Sequence, residues 1–234
     1  MFSALQRGIG NKPINKAYVS VNPNNRKSAS KPKIFENINP DVIFEEMPPS
    51  SFEDRYILKN HKSLETVAID RYTSKYKTPH IGVDLEDISP DFFSFEYRLM
   101  YEKIERLNDI NGYTLRNSMN ANTINSREGG FEYLNSSECQ ELYDNVRNAI
   151  KNGVKELNKE RLSEVLMSWN AIYDKRENEM IKNIYSYCRE NSFNQAVFTI
   201  GAAHSTTLLN KISQYDKTEN MKLRWNCYRK NAST

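Results

Sequence analysis

Three short apolar runs constrain the fold more than any other feature of this sequence. They occupy residues 42–45, 80–84 and 195–200, and each is followed directly by turn or acidic residues. Continuous apolar runs of this length are typical of strands buried on both faces, as parallel strands are. Stretches with helical periodicity separate the runs. The sequence therefore predicts an α/β fold with a mainly parallel central sheet, helices on both faces and a largely helical middle section.

The remaining elements follow from periodicity and composition. Helical periodicity marks four stretches, which are residues 50–76, 90–107, about 156–191, and those that follow Gly201. Residues 109–135 are instead rich in Asn and interrupted by Gly, so they predict a long loop with brief helical turns. Near the C-terminus, "KLRWNCY" predicts an antiparallel edge strand.

The first 35 residues differ from the rest of the chain in charge. They contain seven Lys or Arg residues and no acid, whereas the rest contains 26 basic and 30 acidic residues. This composition is typical of a solvated segment, and also of an organelle presequence or an electrostatic arm. We predict a basic, loop-rich segment over 1–35, with one strand at "KAYVSV", and a single domain over 36–234.

Bulk composition excludes several classes of protein. A net charge of +3 is too small to suggest nucleic-acid binding, and no apolar run is long enough to span a membrane. Nothing resembles the apolar core of a secretory signal. The three cysteines, Cys139, Cys188 and Cys227, form no CxxC pair, which argues against a disulfide framework and suits a reducing compartment. The cytoplasm is the expected location.

A histidine follows the third apolar run. In "VFTIGAAH", Gly201 permits a turn and His204 begins the next helix. In parallel sheets, functional groups collect in the crevice at the carboxyl ends of the strands, where His204 would lie. The positive end of the helix should favour neutral imidazole, the form that binds a metal or acts as a base. The alternative is a capping or packed histidine.

Two acids close the other strands. Glu46 directly follows the first apolar run and should share the sheet edge with His204 if both strands are parallel. Glu45 is its rival, because neighbouring strand residues point to opposite faces and only one can face the crevice. Asp84 ends "IGVD" and repeats the pattern. A helix cap or a solvated turn is the alternative for both Glu46 and Asp84.

An arginine falls within an apolar stripe. On its helix the stripe consists of Trp169, Tyr173, Met180, Ile184 and Tyr187, and Arg176 lies in the middle of it. A buried guanidinium is costly unless it meets a carboxylate or another acceptor. Arg176 should therefore orient Glu46 or stabilise developing negative charge, unless its stem carries the charge to the surface.

The other two histidines are expected to be structural. His80 begins a strand, which puts it at the sheet edge opposite His204. His61 lies between Ile57 and Leu64 on a predicted helix and should pack or face solvent.

Four segments in order carry a family resemblance. "PDVIFEEM", "LETVAIDRYTSKYKTPHIGVD", "KRENEMIKNI" and "VFTIGAAH" resemble the TraB/Tiki/ChaN-like superfamily, which includes erythromycin-esterase-like enzymes, over roughly residues 38–215. The resemblance implies hydrolases, with or without a metal, in which histidines and acids activate water. It implies Glu46, or Glu45, together with Arg176 and His204 as site residues.

The sequence departs from the family at its start. Family members have a first GxxH upstream of the position of Ile38, and this chain has no histidine before His61. A hydrolytic metal site commonly needs three protein ligands and an open position. Two hypotheses follow. The chain is a hydrolase-like protein acting on a small-molecule or peptide substrate, with Glu46 and His204 also holding a divalent metal. Alternatively, it is a catalytically inactive member of the fold that binds or regulates.

Overall fold

A computed structural model describes residues 2–7, 32–60, 63–86 and 90–227 of this 234-residue chain. The elements in chain order are β1 (Phe2–Arg7), α1 (Pro32–Ile38), β2 (Val42–Glu45), α2 (Leu64–Tyr76), β3 (His80–Gly82), α3 (Pro90–Glu105), α4 (Ile110–Leu134), α5 (Ser137–Leu157), α6 (Glu160–Glu190), β4 (Gln195–Thr199), α7 (Ser205–Thr218) and β5 (Leu223–Cys227). The predicted strand at "KAYVSV" and His61 lie outside the described residues.

The sheet is small and only partly parallel. Its strand order is β3-β2-β4-β1-β5, and β3, β2 and β4 run parallel. Strand β1 is antiparallel to both β4 and β5, so β5 is the predicted edge strand with an antiparallel partner. Most of the described residues are helical. The predicted α/β fold with a mainly parallel central sheet and a largely helical middle section is therefore confirmed in part, because the parallel portion is a three-stranded core within a mostly helical protein.

Alternating side chains of the parallel strands enter two different apolar clusters. Ile43 and Val197 pack with residues of α1 and α2, such as Phe35 and Ile69. Val42, Phe44 and Phe198 pack instead with residues of α6 and α7. Successive strand residues point to opposite faces, so continuous apolar sequence is what such a strand requires.

The segment predicted as a loop over 109–135 is helix α4. Asp109 caps it by accepting a hydrogen bond from the Gly112 N–H at 2.8 Å. Its buried residues include Ser118, Asn122 and Ser126, so the buried face is partly polar and the apolar periodicity is hidden. Gly130 interrupts the helix with a φ of 51°, in the left-handed region that favours glycine.

Other helix bounds differ from prediction in detail. The helix predicted over 50–76 is divided. Short helical turns at Pro49–Ser51 and Glu53–Ile57 precede α2, and Ser63 caps the start of α2. Helix α3 ends close to its predicted end. The long helical region starts with α5, well before residue 156, and is broken once between α5 and α6.

Helix α6 joins the helical section to the sheet. Near its start, Leu162 and Val165 pack with α3, α4 and α5. Near its end, Met180 and Ile184 pack with the sheet and α7. The residues between these two contacts reach the carboxyl ends of the parallel strands. Among the described residues, no helix is both long enough and apolar enough to cross a membrane.

Candidate functional site

The three residues predicted to meet do lie together. Glu46 follows β2, His204 ends the turn after β4, and Arg176 comes from α6. The Arg176 Nη2 atom lies 2.7 Å from Glu46 Oε1, and the His204 Nε2 atom lies 3.3 Å from the same oxygen. The structure thus brings the predicted residues to one sheet edge. Their catalytic and metal-binding roles stay predictions.

Backbone pairing fixes the position of Glu46. Its N–H donates to the carbonyl of Thr199 at 2.9 Å, and its Oε2 atom accepts the Gly201 N–H at 2.6 Å. A Cβ on Gly201 would lie 3.2 Å from that oxygen, so glycine allows the close approach. Burial opposes ionisation of Glu46, but His204, Arg176 and the Gly201 N–H outweigh it. They hold the pKa of Glu46 well below its usual value.

Glu177 is the partner of His204 that sequence reasoning missed. Its Oε1 atom lies 2.7 Å from His204 Nδ1 and accepts the Thr207 hydroxyl at 2.5 Å, and its Oε2 lies 3.2 Å from Lys211 Nζ. Burial raises the pKa of Glu177, but the hydrogen bonds from His204 and Thr207 lower it by more. The pKa of Glu177 therefore lies below its usual value. A signal was present, because Glu177 shares its helix face with Tyr173 and Met180, at spacings of four and three.

His204 is held as an imidazolium. Each ring nitrogen faces a carboxylate, and an ionised carboxylate can only accept, so both nitrogens must donate. Burial lowers the pKa of His204, but Glu46 and Glu177 together raise it to about 9. The prediction of a neutral imidazole was therefore wrong. A helix terminus acts as a partial charge, which two full carboxylate charges outweigh.

Asp84 completes the surroundings of Arg176. The Arg176 Nε and Nη2 atoms lie 3.1 and 2.5 Å from Asp84 Oδ2, so the guanidinium bridges Asp84 and Glu46. The Asp84 N–H donates to the carbonyl of Met47, and Asn183 donates to that of Val83, which fixes the turn after β3. The alternative in which Arg176 reaches the surface without a partner does not occur.

We call this group the charge cluster, and it consists of Glu46, Asp84, Glu177, Arg176, His204 and Lys211. Lys211 also pairs at the surface with the exposed Asp174, whose Oδ1 atom lies 2.7 Å from Lys211 Nζ. Glu46 and Arg176 keep 18% and 19% of their side chains exposed, whereas Glu177 and His204 keep 2% and 3%. Glu46 and Arg176 therefore form the open side of the cluster.

Glu45 and His80 form a separate pair on the other side of β2. The His80 Nε2 atom lies 2.6 Å from Glu45 Oε2, which also accepts the Tyr56 hydroxyl at 2.6 Å. Arg55 lies 3.3 Å from the other Glu45 oxygen. Glu45 is thus not the carboxylate that meets His204, and His80 begins β3 as predicted.

His204 and Glu46 are two protein ligands, whereas a hydrolytic metal site commonly needs three. A ligating imidazole needs an unprotonated nitrogen, and both nitrogens of His204 face carboxylates. Glu46 is already shared by Arg176 and the Gly201 N–H.

Comparison with known proteins gave no match to this chain among family models, curated proteins or solved structures.

Proposed function

We propose that this chain is a hydrolase-like protein of the TraB/Tiki/ChaN type, with the open side of the charge cluster as its reaction centre. The observation that supports this is the pairing of a buried carboxylate with the catalytic-type histidine. Glu177 binds Nδ1 of His204, which directs Nε2 towards the partly exposed Glu46 and Arg176. An acid that orients a histidine in this way is a recurrent device of hydrolytic sites.

The charge states assign a role to each residue in the proposed reaction. Water attacks the carbonyl carbon of an ester or amide and passes a proton to Glu46, while Arg176 stabilises the negative carbonyl oxygen. The bond to the leaving group breaks, and the leaving group takes a proton from Nε2 of His204. Glu46 then returns its proton to Nε2, 3.3 Å away, which restores both residues.

Arg176 also controls the basicity of Glu46 in this proposal. In the resting site, Arg176 contributes to the low pKa of Glu46, which makes Glu46 a weak base. Movement of the guanidinium towards the carbonyl oxygen would weaken that contribution and raise the pKa of Glu46. Substrate binding would thereby activate the base.

The mutual pairing of the charges supports a second candidate, a catalytically inactive member of the fold that binds or regulates. Each ionised member of the charge cluster already has an opposite charge within 3.3 Å. Such a network can serve as a structural element alone, because paired buried charges fix the geometry of the turns that carry them.

Hydrolysis assays distinguish the two candidates. The wild type should hydrolyse p-nitrophenyl esters or fluorogenic peptides, and His204→Gln and Glu46→Gln should each lower kcat by about 100-fold or more. His80→Gln removes the other buried histidine–glutamate pair and is the matched control, which should keep most of the activity. Failure of the folded wild type to hydrolyse any of these substrates would favour the inactive candidate.

The metal and the location are tested separately. Elemental analysis of the purified protein should find no stoichiometric metal, because His204 offers no free nitrogen. A metal that is present in the wild type and lost in His204→Gln would restore the metal-dependent mechanism. We propose a cytoplasmic location and a small-molecule or peptide substrate, and fractionation of the source cells tests the former.

A further inference from the structure

A row of three aromatic rings runs from α3 to the charge cluster. Tyr97 of α3 stacks on Trp169 of α6 with ring centres 4.0 Å apart and planes inclined by 18°. Trp169 contacts Tyr173, one helical turn further along α6, at 5.3 Å. We call these three residues the aromatic row. Tyr173, its last member, stacks on the ring of His204 at 4.6 Å and 18°.

The contacts at the two nitrogens of His204 leave the tilt of the imidazole ring weakly constrained. Glu177 and Glu46 bind the two ring nitrogens, and both contacts lie at the ring edge. Edge contacts define where the nitrogens point but resist tilting of the ring only weakly. The stack with Tyr173 covers a face of the imidazole, so it supplies the constraint that the carboxylates do not.

We propose that Tyr173 is a positioning residue that fixes the plane of the His204 ring, so that Nε2 stays directed at Glu46 and the open side of the charge cluster. The effect on turnover rests on the proposed function, whereas the effect on the ring itself does not. Trp169 and Tyr97 support Tyr173 from behind, because α3 and α6 pack together along the aromatic row.

Charge strengthens this contact. An aromatic face attracts a cation, and His204 is protonated over a wide pH range. The Arg176 guanidinium carbon also lies 5.9 Å from the centre of the Tyr173 ring. The charged groups around His204 come from five elements or their flanks, namely Glu46 after β2, Asp84 after β3, Arg147 on α5, Asp174, Arg176 and Glu177 on α6, and Lys211 on α7. The substitutions below leave all of these in place.

Proton NMR of the full chain tests the proposal without a substrate. The sequence contains three histidines, so the ring protons of His204 and His80 can be assigned with the His204→Gln and His80→Gln variants. Tyr173→Leu should remove the ring-current shift from the His204 ring protons and move them downfield. It should also speed exchange of the Nδ1 proton that faces Glu177. Tyr173→Phe keeps the aromatic face and should restore both signals, while the His80 protons should not move.

A matched control and an activity measurement complete the test. Tyr187→Leu removes another half-buried tyrosine of α6, one that contacts Phe44, and should leave the His204 signals in place. If the wild type is active, Tyr173→Leu should lower kcat about 10- to 100-fold relative to it, with little change in KM. His204 signals that stay unchanged in Tyr173→Leu, or that Tyr173→Phe does not restore, would overturn the proposal. An inactive wild type with the expected NMR shifts would reject the proposed function alone.

Discussion

The raised pKa of His204 should make the stability of this protein depend on pH. In the unfolded chain the imidazole titrates near 6.5, and in the folded protein near 9. The folded state therefore binds this proton more tightly. The stabilisation is complete below pH 6.5, declines as pH rises, and is lost above about 9. Each unit of pH between these two pKa values is worth about 1.36 kcal/mol. The free energy of unfolding should therefore fall by roughly 3 kcal/mol across this window of about 2.5 units.

Guanidinium denaturation at pH 6.5, 7.5 and 9.5 would measure this decline, with His204→Gln as the comparison. The variant should be less stable than the wild type at pH 6.5, and the difference should shrink towards pH 9.5. Comparing the two proteins cancels other groups that titrate in both, including Glu65, whose burial raises its pKa to about 7. A difference that stays constant from pH 6.5 to 9.5 would refute the imidazolium assignment.

Three further substitutions test the packing and charges around the site. Glu177→Ala should leave the buried His204 cation without its closest partner and lower the unfolding free energy at pH 7 by about 3 kcal/mol, measured by chemical denaturation, with Glu177→Gln less affected. Arg176→Gln should cost a similar amount at pH 7, and this cost should persist down to about pH 4.5 and decline only in more acidic solution, because Arg176 helps to hold the pKa of Glu46 well below its usual value of 4.5. Gly153→Ala would place a Cβ 2.5 Å from Ile104 Cγ2, so thermal denaturation should show a loss of about 1–3 kcal/mol. A Gly153→Ala melting temperature equal to that of the wild type would contradict the close packing of α5 against α3.

Strands β2 to β5 and the three converging residues were accessible from sequence because they depend on local order. Strand β2 coincides with a four-residue apolar run, and Glu46 follows it at the carboxyl end. Arg176 was detectable because a charge within an apolar stripe needs a partner. These inferences needed only strand alternation and helical periodicity.

What the sequence hid depends on partners that are distant in the chain. The buried polar side of α4 lacks apolar periodicity, because its Asn122 is satisfied by the hydroxyl of Tyr133, eleven residues away. The protonation state of His204 was mispredicted for a similar reason. The helix dipole is visible in the sequence, but the carboxylates of Glu46 and Glu177, which come from two other parts of the chain, decide the charge. Strand β1 lies beside β4 although the two are at opposite ends of the described chain.

Two adjacent carboxylates at the end of one strand hold two histidines on opposite sides of the sheet. Glu45 binds His80 and Glu46 contacts His204. If β2 slipped by one residue relative to β4, each carboxylate would turn towards the wrong side and both histidines would lose their partners. The alignment of β2 is consequently set by these two polar contacts as well as by apolar burial. A single-residue insertion in this strand would separate both histidines from their carboxylates at once.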